Sequence, residues 1–298
     1  MSAATPHPMS TVPFHAGELD AQARAGVRLH GAPIRDRMPD QHRLFFAQLP
    51  FLLAGVADAD GWPVATALTG PLGFASGPDA QTLHIATRRN PADPAAASLR
   101  PGALVGLLGI DLSTRRRNRV NGRILAANDN GLTIGVHQSF GNCPQYIQVR
   151  DVVPAPANAR DESAAERLDG LDADARAWMA AADTFFVATS SGGRGGEADG
   201  VDMSHRGGPP GFVHVDGDVL TIPDYRGNRY FNTLGNLLLD PRAALLFVDW
   251  ATGSVLHVQG LAEIIWDGEE VSRFARAERL WRVRVTLGWR RRGVLPLR

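Results

Sequence analysis

Apolar and polar positions along the chain alternate in short segments. Residues 103–108 and 243–248 are continuous apolar runs, the pattern of a strand buried on both faces. Residues 51–57 and 184–189 predict further strands, each preceded by a helical pattern over residues 41–48 or 172–182. After each strand, residues 58–61 and 190–196 supply the Gly, Asp and Ser of tight turns. Short strands at regular spacing, punctuated by Gly and Pro, predict a mainly β fold of antiparallel sheet closing into small barrels with flanking helices. Near the end, residues 268–279 predict an amphipathic helix and 281–287 a last strand, while Arg290, Arg291 and Arg292 read as a solvated charged tail.

The pattern occurs twice. Gly70-Pro71-Leu72-Gly73-Phe74 recurs as Gly208-Pro209-Pro210-Gly211-Phe212. Asp111 and Thr114 precede Val120-Asn121-Gly122 as Asp249 and Thr252 precede Val258-Gln259-Gly260, with the same internal spacing. Leu83-His84-Ile85 answers Leu220-Thr221-Ile222, and each is followed by a short helical piece. The chain therefore divides into an N-terminal extension (1–39), a first repeat (40–153), a linker (154–171) and a second repeat (172–298). A length of 298 residues suits two hydrophobic cores.

Charge and composition narrow the chemistry. Acidic and basic side chains balance at 31 each, so no overall field steers the protein to nucleic acid or an anionic membrane. Every basic residue is arginine, which removes Schiff-base and P-loop lysines and leaves the guanidinium fork to hold phosphate. The single cysteine, Cys143, excludes an internal disulfide and multi-cysteine metal sites, and fits a reducing cytoplasm. The first forty residues resemble neither a signal peptide nor a membrane span. No metal site is expected from the isolated His205, His214 and His257, and no known hydrolase, zincin, P-loop or Rossmann motif is present.

A polar set remains in the second repeat: Asp202 to Gly208 with Ser204, His205 and Arg206; then Asp224 to Arg229 with Arg226 and Asn228; then Asn232, Thr233 and Asn236. Arginine forks, small side chains and a helix start are what a phosphate monoester needs; the alternative is a capped helix with exposed polar residues. Arg115-Arg116-Arg117-Asn118-Arg119 has three readings: solvated hairpin arginines, a nucleic-acid patch without interleaved aromatics, or arginines reaching across to a phosphate in the other half.

Ile222-Pro223-Asp224-Tyr225-Arg226-Gly227-Asn228, continuing to Asn232-Thr233-Leu234-Gly235-Asn236 and Asp240-Pro241-Arg242, resembles the flavin-binding region of the pyridoxamine 5'-phosphate oxidase-like split-barrel family. The segments 202–206 and 209–213 are similar to the family's strand beside the isoalloxazine ring. Gln138-Ser139-Phe140-Gly141-Asn142-Cys143-Pro144-Gln145-Tyr146-Ile147 and Phe14-His15-Ala16-Gly17-Glu18-Leu19 resemble its duplicated-barrel subgroup.

The resemblance implies tandem FMN-binding split barrels packed as an intrachain pseudo-dimer, with one FMN between them. It implies phosphate and ribityl contacts from Arg226, Asn228, Asn232 and Thr233, ring contacts from Ser204, His205 and Arg206, and Asn236 completing the set. The implied activity is an FMN-dependent oxidoreductase acting on a small molecule. The alternatives are a non-catalytic flavin-binding or sensing protein and a haem-binding split barrel. No residue is assigned a catalytic role.

The chain departs from the classical oxidase in two ways: it lacks lysine at the phosphate, and residues 281–298 show no Arg-x-His pattern, which speaks against vitamin B6 as substrate. Some relatives continue into a ferredoxin reductase-like module, whereas this chain stops at Pro296-Leu297-Arg298. Electrons are then expected from a separate reductase, a nicotinamide cofactor or the substrate. Neither a membrane nor nucleic acid is expected as partner, and pairing into a homodimer is left open.

Overall fold

Both continuous apolar runs become central strands, buried on each face as their composition requires. The structure is a computed structural model and describes residues 13–29, 32–152 and 164–295. Most of the predicted linker (154–163) and the terminal Pro296-Leu297-Arg298 lie outside the described residues.

The first sheet contains β1 (Phe51–Ala57), β2 (Pro63–Thr69), β3 (Ala75–Ser76), β4 (Thr82–Ile85), β5 (Leu104–Asp111), β6 (Arg116–Asn128) and β7 (Gly131–Gly141), in the order β2-β1-β5-β6-β7-β4-β3. The second contains β8 (Glu166–Leu168), β9 (Thr184–Ser190), β10 (Val201–Gly207), β11 (His214–Asp216), β12 (Val219–Tyr225), β13 (Arg242–Val248), β14 (Val255–Ile265) and β15 (Ala277–Arg291), with β8 paired to β15 outside the path β10-β9-β13-β14-β15-β12-β11. The two orders are the same once the repeat is laid over itself, and every pairing is antiparallel. The helices are α1 (Ala16–Arg24), α2 (Asp40–Ala47), α3 (Ala173–Ala181), α4 (Asn232–Leu239) and α5 (Glu269–Ser272).

Strand alternation assigns each side chain to one of three cores. Leu52, Ala54 and Val56 of β1 enter the first barrel's core. Phe185 and Val187 of β9, with Ala243, Leu245 and Phe247 of β13, enter the second. The intervening residues build a third core between the barrels: Phe51 and Leu53 from one half meet Phe186, Ala188, Ala244 and Leu246 from the other. The period of two along a strand thus explains why residues 51–57 and 243–248 contain no polar position.

The halves meet closely at two facing glycines. Gly55 and Gly106 pair across β1 and β5, and β10 of the second barrel lies over them. A Cβ on Gly106 would stand 2.3 Å from the Val201 carbonyl oxygen, and one on Gly55 would stand 2.8 Å from the Ala188 Cβ. Gly106→Ala is therefore expected to lower stability by about 1–3 kcal/mol through overpacking against fixed backbone. A fall in the denaturant midpoint checks this.

Three local expectations are corrected. The helix over 268–279 shrinks to α5, because Arg276 turns the chain in the left-handed region (φ 66°) and β15 begins at Ala277 between β12 and β14. Residues 91–99 make turns rather than a helical piece; Pro94 lacks the N–H that a helix needs there, and the Asp93 carboxylate accepts the Ala95 N–H. The arginine tail continues β15: Arg290 pairs with Glu166 and Asp172, and Arg291 is buried against Asp93.

Candidate functional site

The polar set of the second repeat is carried by three elements. β10 presents Ser204, His205 and Arg206, β12 ends at Asp224 and Tyr225, and α4 opens with Asn232 and Thr233. Entry to α4 is made through Arg229 and Phe231, both at positive φ (61° and 62°). Phe231 provides no side-chain cap, so the helix start is left with unanswered N–H groups, the arrangement that attracts an anion.

Facing this surface is β6 of the first repeat. Alternation along β6 turns Arg117, Arg119 and Asn121 toward the second barrel. Arg119 is buried; its Nη1 donates to Asn232 Oδ1 (3.1 Å) and its Nη2 to Ser204 Oγ (2.5 Å). Thr233 Oγ1 donates to the same Ser204 hydroxyl at 3.0 Å. Arg117 Nη1 donates to His205 Nδ1 at 2.8 Å, which fixes the neutral ring with its proton on Nε2. Burial and the charges of four arginines hold His205 well below the ordinary histidine range.

The residues lining the resulting cleft include five arginines (Arg117, Arg119, Arg206, Arg229, Arg279) against two carboxylates (Asp224, Glu278). Asp224 serves both Arg206 and Arg279, each at 2.5 Å, and Glu278 serves Arg229 at 3.1 Å and Arg279 at 3.0 Å. Behind the wall, Asp202 lies 3.5 Å from Arg119. Arg117 has no carboxylate within ion-pair distance among the described residues. Burial and the like charges of Arg119 and Arg206 bring its guanidinium down to about 9. Arg117 Nε, Arg119 Nε, Arg206 Nε and His205 Nε2 are buried without a partner. Such a wall lacks negative charge and acceptors.

The sequence-selected residues divide. Ser204, His205, Arg206, Asn228, Asn232 and Thr233 line the cleft. The Arg226 side chain is exposed outside it, while the Arg226 backbone carbonyl accepts the Tyr146 hydroxyl at 3.0 Å. Asn236 is buried one turn behind, bonded to His15, Thr189 and Asp202. Of the three readings of the 115–119 hairpin, the cross-barrel one describes Arg117 and Arg119, whereas Arg115 and Arg116 are exposed. Arg279, Asp224, Gln145 and Tyr146 also line the cleft.

The pseudo-symmetric position in the first barrel is also a cleft, lined by Arg88, Arg89, Asn90, Asp93 and Arg291, but a carboxylate stands at its strand hydroxyl. Thr66 occupies the place of Ser204 and donates to Asp93 at 2.5 Å, as Ser204 meets Thr233. Asp93 binds Arg291 at 2.7 Å. His257, at the repeat position of Arg119, is neutral, since burial takes it down to about 4, and its Nδ1 faces the Ala65 carbonyl at 2.8 Å. An internal carboxylate there meets the strand hydroxyl, where the other cleft has the Thr233 hydroxyl.

Among the described residues no helix is long and apolar enough to cross a membrane, and no group of three or more His, Cys, Asp or Glu is placed to hold a metal.

A tandem of two split barrels with an arginine-walled cleft at their joint defines the class of this protein. Residues 171–287 match the family model described as pyridoxamine 5'-phosphate oxidase. That match covers most of the second repeat, and the first repeat has the same strand order. No curated protein matches the chain.

Similar solved structures include a FAD-binding protein from Mesorhizobium loti, 12% identical, covering 43% of this chain and 98% of its own, with a TM-score of 0.30. Another is HutZ, the heme storage protein of Vibrio cholerae, 12% identical over 42% of this chain and 96% of its own, TM-score 0.29. A third, from Clostridium acetobutylicum, is related to general stress protein 26 and of the pyridoxinephosphate oxidase family; it is 14% identical over 41% of this chain and 87% of its own, TM-score 0.28.

Proposed function

We propose that the chain is a cytoplasmic FMN-binding oxidoreductase of the pyridoxamine phosphate oxidase-like class, holding one flavin at the joint between its barrels. The observation that carries this reading is the incompletely compensated arginine cluster, in which Arg117 and Arg119 from one half face the open start of α4 and the Ser204–Thr233 hydroxyls of the other. A phosphate monoester brings the missing charge and several acceptors to donors already in place. The orphaned Nε groups and the His205 Nε2–H fit such a ligand.

Arg117, Arg119, Asn232 and Thr233 would hold the phosphate end, with Asn228 toward the ribityl chain. Ser204, His205 and Arg206 would face the ring. Bound FMN supplies hydride or single-electron transfer. The chain's part is to orient it, shield it from water and set its electrostatics: Arg206, held by Asp224, favours negative charge on whatever it faces. The cleft shares Tyr146, Phe212, Pro223 and Tyr225 with a second cavity that is also lined by His214, Phe274 and Arg276, a seat for a small substrate. Reducing power would come from a separate reductase or a nicotinamide cofactor.

The test is the visible spectrum of the purified protein before and after heat release of the chromophore, with chromatography of what is released. FMN at about one per chain is expected, since in the first barrel the strand hydroxyl of Thr66 already meets the Asp93 carboxylate, whereas Ser204 meets only Thr233 and Arg119. Two flavins per chain would contradict the role given to Asp93. A Soret band in place of flavin absorbance would favour the haem reading. Turnover with a reductant and an acceptor separates an oxidoreductase from a non-catalytic flavin carrier.

A further inference from the structure

The N-terminal extension reaches the arginine cluster. α1 lies on α4 backbone to backbone: a Cβ on Gly17 would stand 2.2 Å from the Gly235 carbonyl oxygen, and one on Gly235 would stand 2.6 Å from the Glu18 Cα. That approach fixes Glu18 beside the first turn of α4, where its side chain is buried. Glu18 Oε1 accepts from Asn232 Nδ2, and Oε2 accepts from the His15 backbone N–H at 2.9 Å. The other end of the Asn232 amide accepts from Arg119. Asn232 is thus an amide bridge with a carboxyl on one side and the innermost arginine of the cleft on the other.

The groups facing Glu18 are few. His15 Nε2 lies 3.6 Å away but donates to Asn236 Oδ1 (2.8 Å), while His15 Nδ1 accepts from Gly17 N (3.2 Å), so the ring is neutral, in line with its lowered affinity for protons in this buried position. From β10 comes the charge of Asp202, and from β6 that of Arg119. Two carboxyls therefore share one nearby arginine. Burial, and next the charge of Asp202, push Glu18 up to about 8, so this carboxyl exchanges its proton near neutral pH.

We infer that Glu18 is a positioning residue of the anion site: it holds Asn232 and Arg119 toward the ligand, and it takes up a proton when a phosphate dianion is captured. A ligand charge placed on the far side of Arg119 competes with both carboxyls for that arginine, and the carboxyl that already shares its proton gives way. The inference rests on the reading of the arginine cluster as a phosphate site.

FMN affinity measured by flavin fluorescence quenching from pH 7 to 9 tests it. Over that range a phosphate monoester is fully or mostly dianionic, so its own titration contributes little above pH 7.5. Because Glu18 is mostly protonated at pH 7 and mostly ionised at pH 9, uptake averages about half a proton per ligand over that range and predicts a fall in affinity of roughly tenfold for the wild type. Glu18→Gln, which keeps the shape and the acceptor for Asn232, is expected to bind with an affinity nearly flat to pH 8.5, with Arg117 responsible for any decline above that. Calorimetry of the wild type at pH 8 in buffers of different ionisation enthalpy reads the proton directly and does not depend on the variant's folding. FMN binding with no proton uptake, or wild-type and Glu18→Gln profiles that run parallel, would overturn the role of Glu18 and leave the phosphate site standing. Failure of FMN to bind at any pH would remove the phosphate reading, and this inference with it.

Discussion

Replacing Arg119 with methionine is expected to weaken FMN binding by about 3–4 kcal/mol, between two and three orders of magnitude in Kd. The size follows from position. Arg119 is buried, its two terminal nitrogens are spent on Asn232 and Ser204, and those two residues sit at the mouth of α4 and on the strand beside it. Methionine fills the space of the aliphatic stem but removes the charge that answers Asp202 and Glu18. The wall then changes from cationic to anionic behind Asn232, so an incoming phosphate loses an attraction and gains a repulsion. Arg119→Lys keeps the charge without the fork and should fall between the two. Arg226→Ala is the comparison: its guanidinium lies outside the cleft and only its backbone carbonyl is engaged there, so affinity should change by less than about 0.5 kcal/mol. Equal losses at Arg119 and Arg226, with folded variants by circular dichroism, would move the phosphate out of the arginine cluster and toward the loop.

The contrast between these two arginines shows what a linear sequence carries. Continuous apolar runs and a twice-written turn motif are local signals, and they foretold two like halves and central strands buried on both faces. The polar set of the second repeat was equally legible, because Ser204, Arg206, Asn228 and Thr233 lie within a few turns of chain. Arg117 and Arg119 come from the other repeat, and nothing in a run of arginines in a hairpin says which face the register will turn inward. One signal was available: laid over the second repeat, Arg119 coincides with buried His257, a position where a solvated hairpin residue is out of place. Glu18 was similarly hidden. In α1 it reads as the polar side of an amphipathic turn, and only the glycine-to-glycine contact with α4 makes it part of a site. Arg291 and Asp93 are 198 residues apart, so their ion pair, which lines the first barrel's own cleft, had no trace in the tail's composition. Resemblance to a family supplied the location of the groove; the partner strand's contribution came from register and packing.

Asp224 offers the sharpest separation of a structural clamp from a ligand contact. Buried at the end of β12, beside a register shift against β15, it is the one carboxylate touching both Arg206 and Arg279. Asp224→Asn keeps an acceptor of the same shape but leaves two guanidinium groups side by side with their shared charge removed; Arg279 retains Glu278, and Arg206 retains only partial solvation. Breaking a buried pair of this kind costs about 3 kcal/mol, discounted from the upper range because Arg206 is partly exposed. At the same time the variant makes the cleft more positive. The folded Asp224→Asn protein should therefore bind FMN at least as tightly as the wild type, and saturating FMN should recover much of the lost thermal stability through linkage. Opposite signs for stability and affinity are what a clamp behind the site predicts. If the folded variant loses FMN instead, Asp224 is in contact with the flavin itself, and the two arginines it holds apart are oriented by the ligand rather than for it.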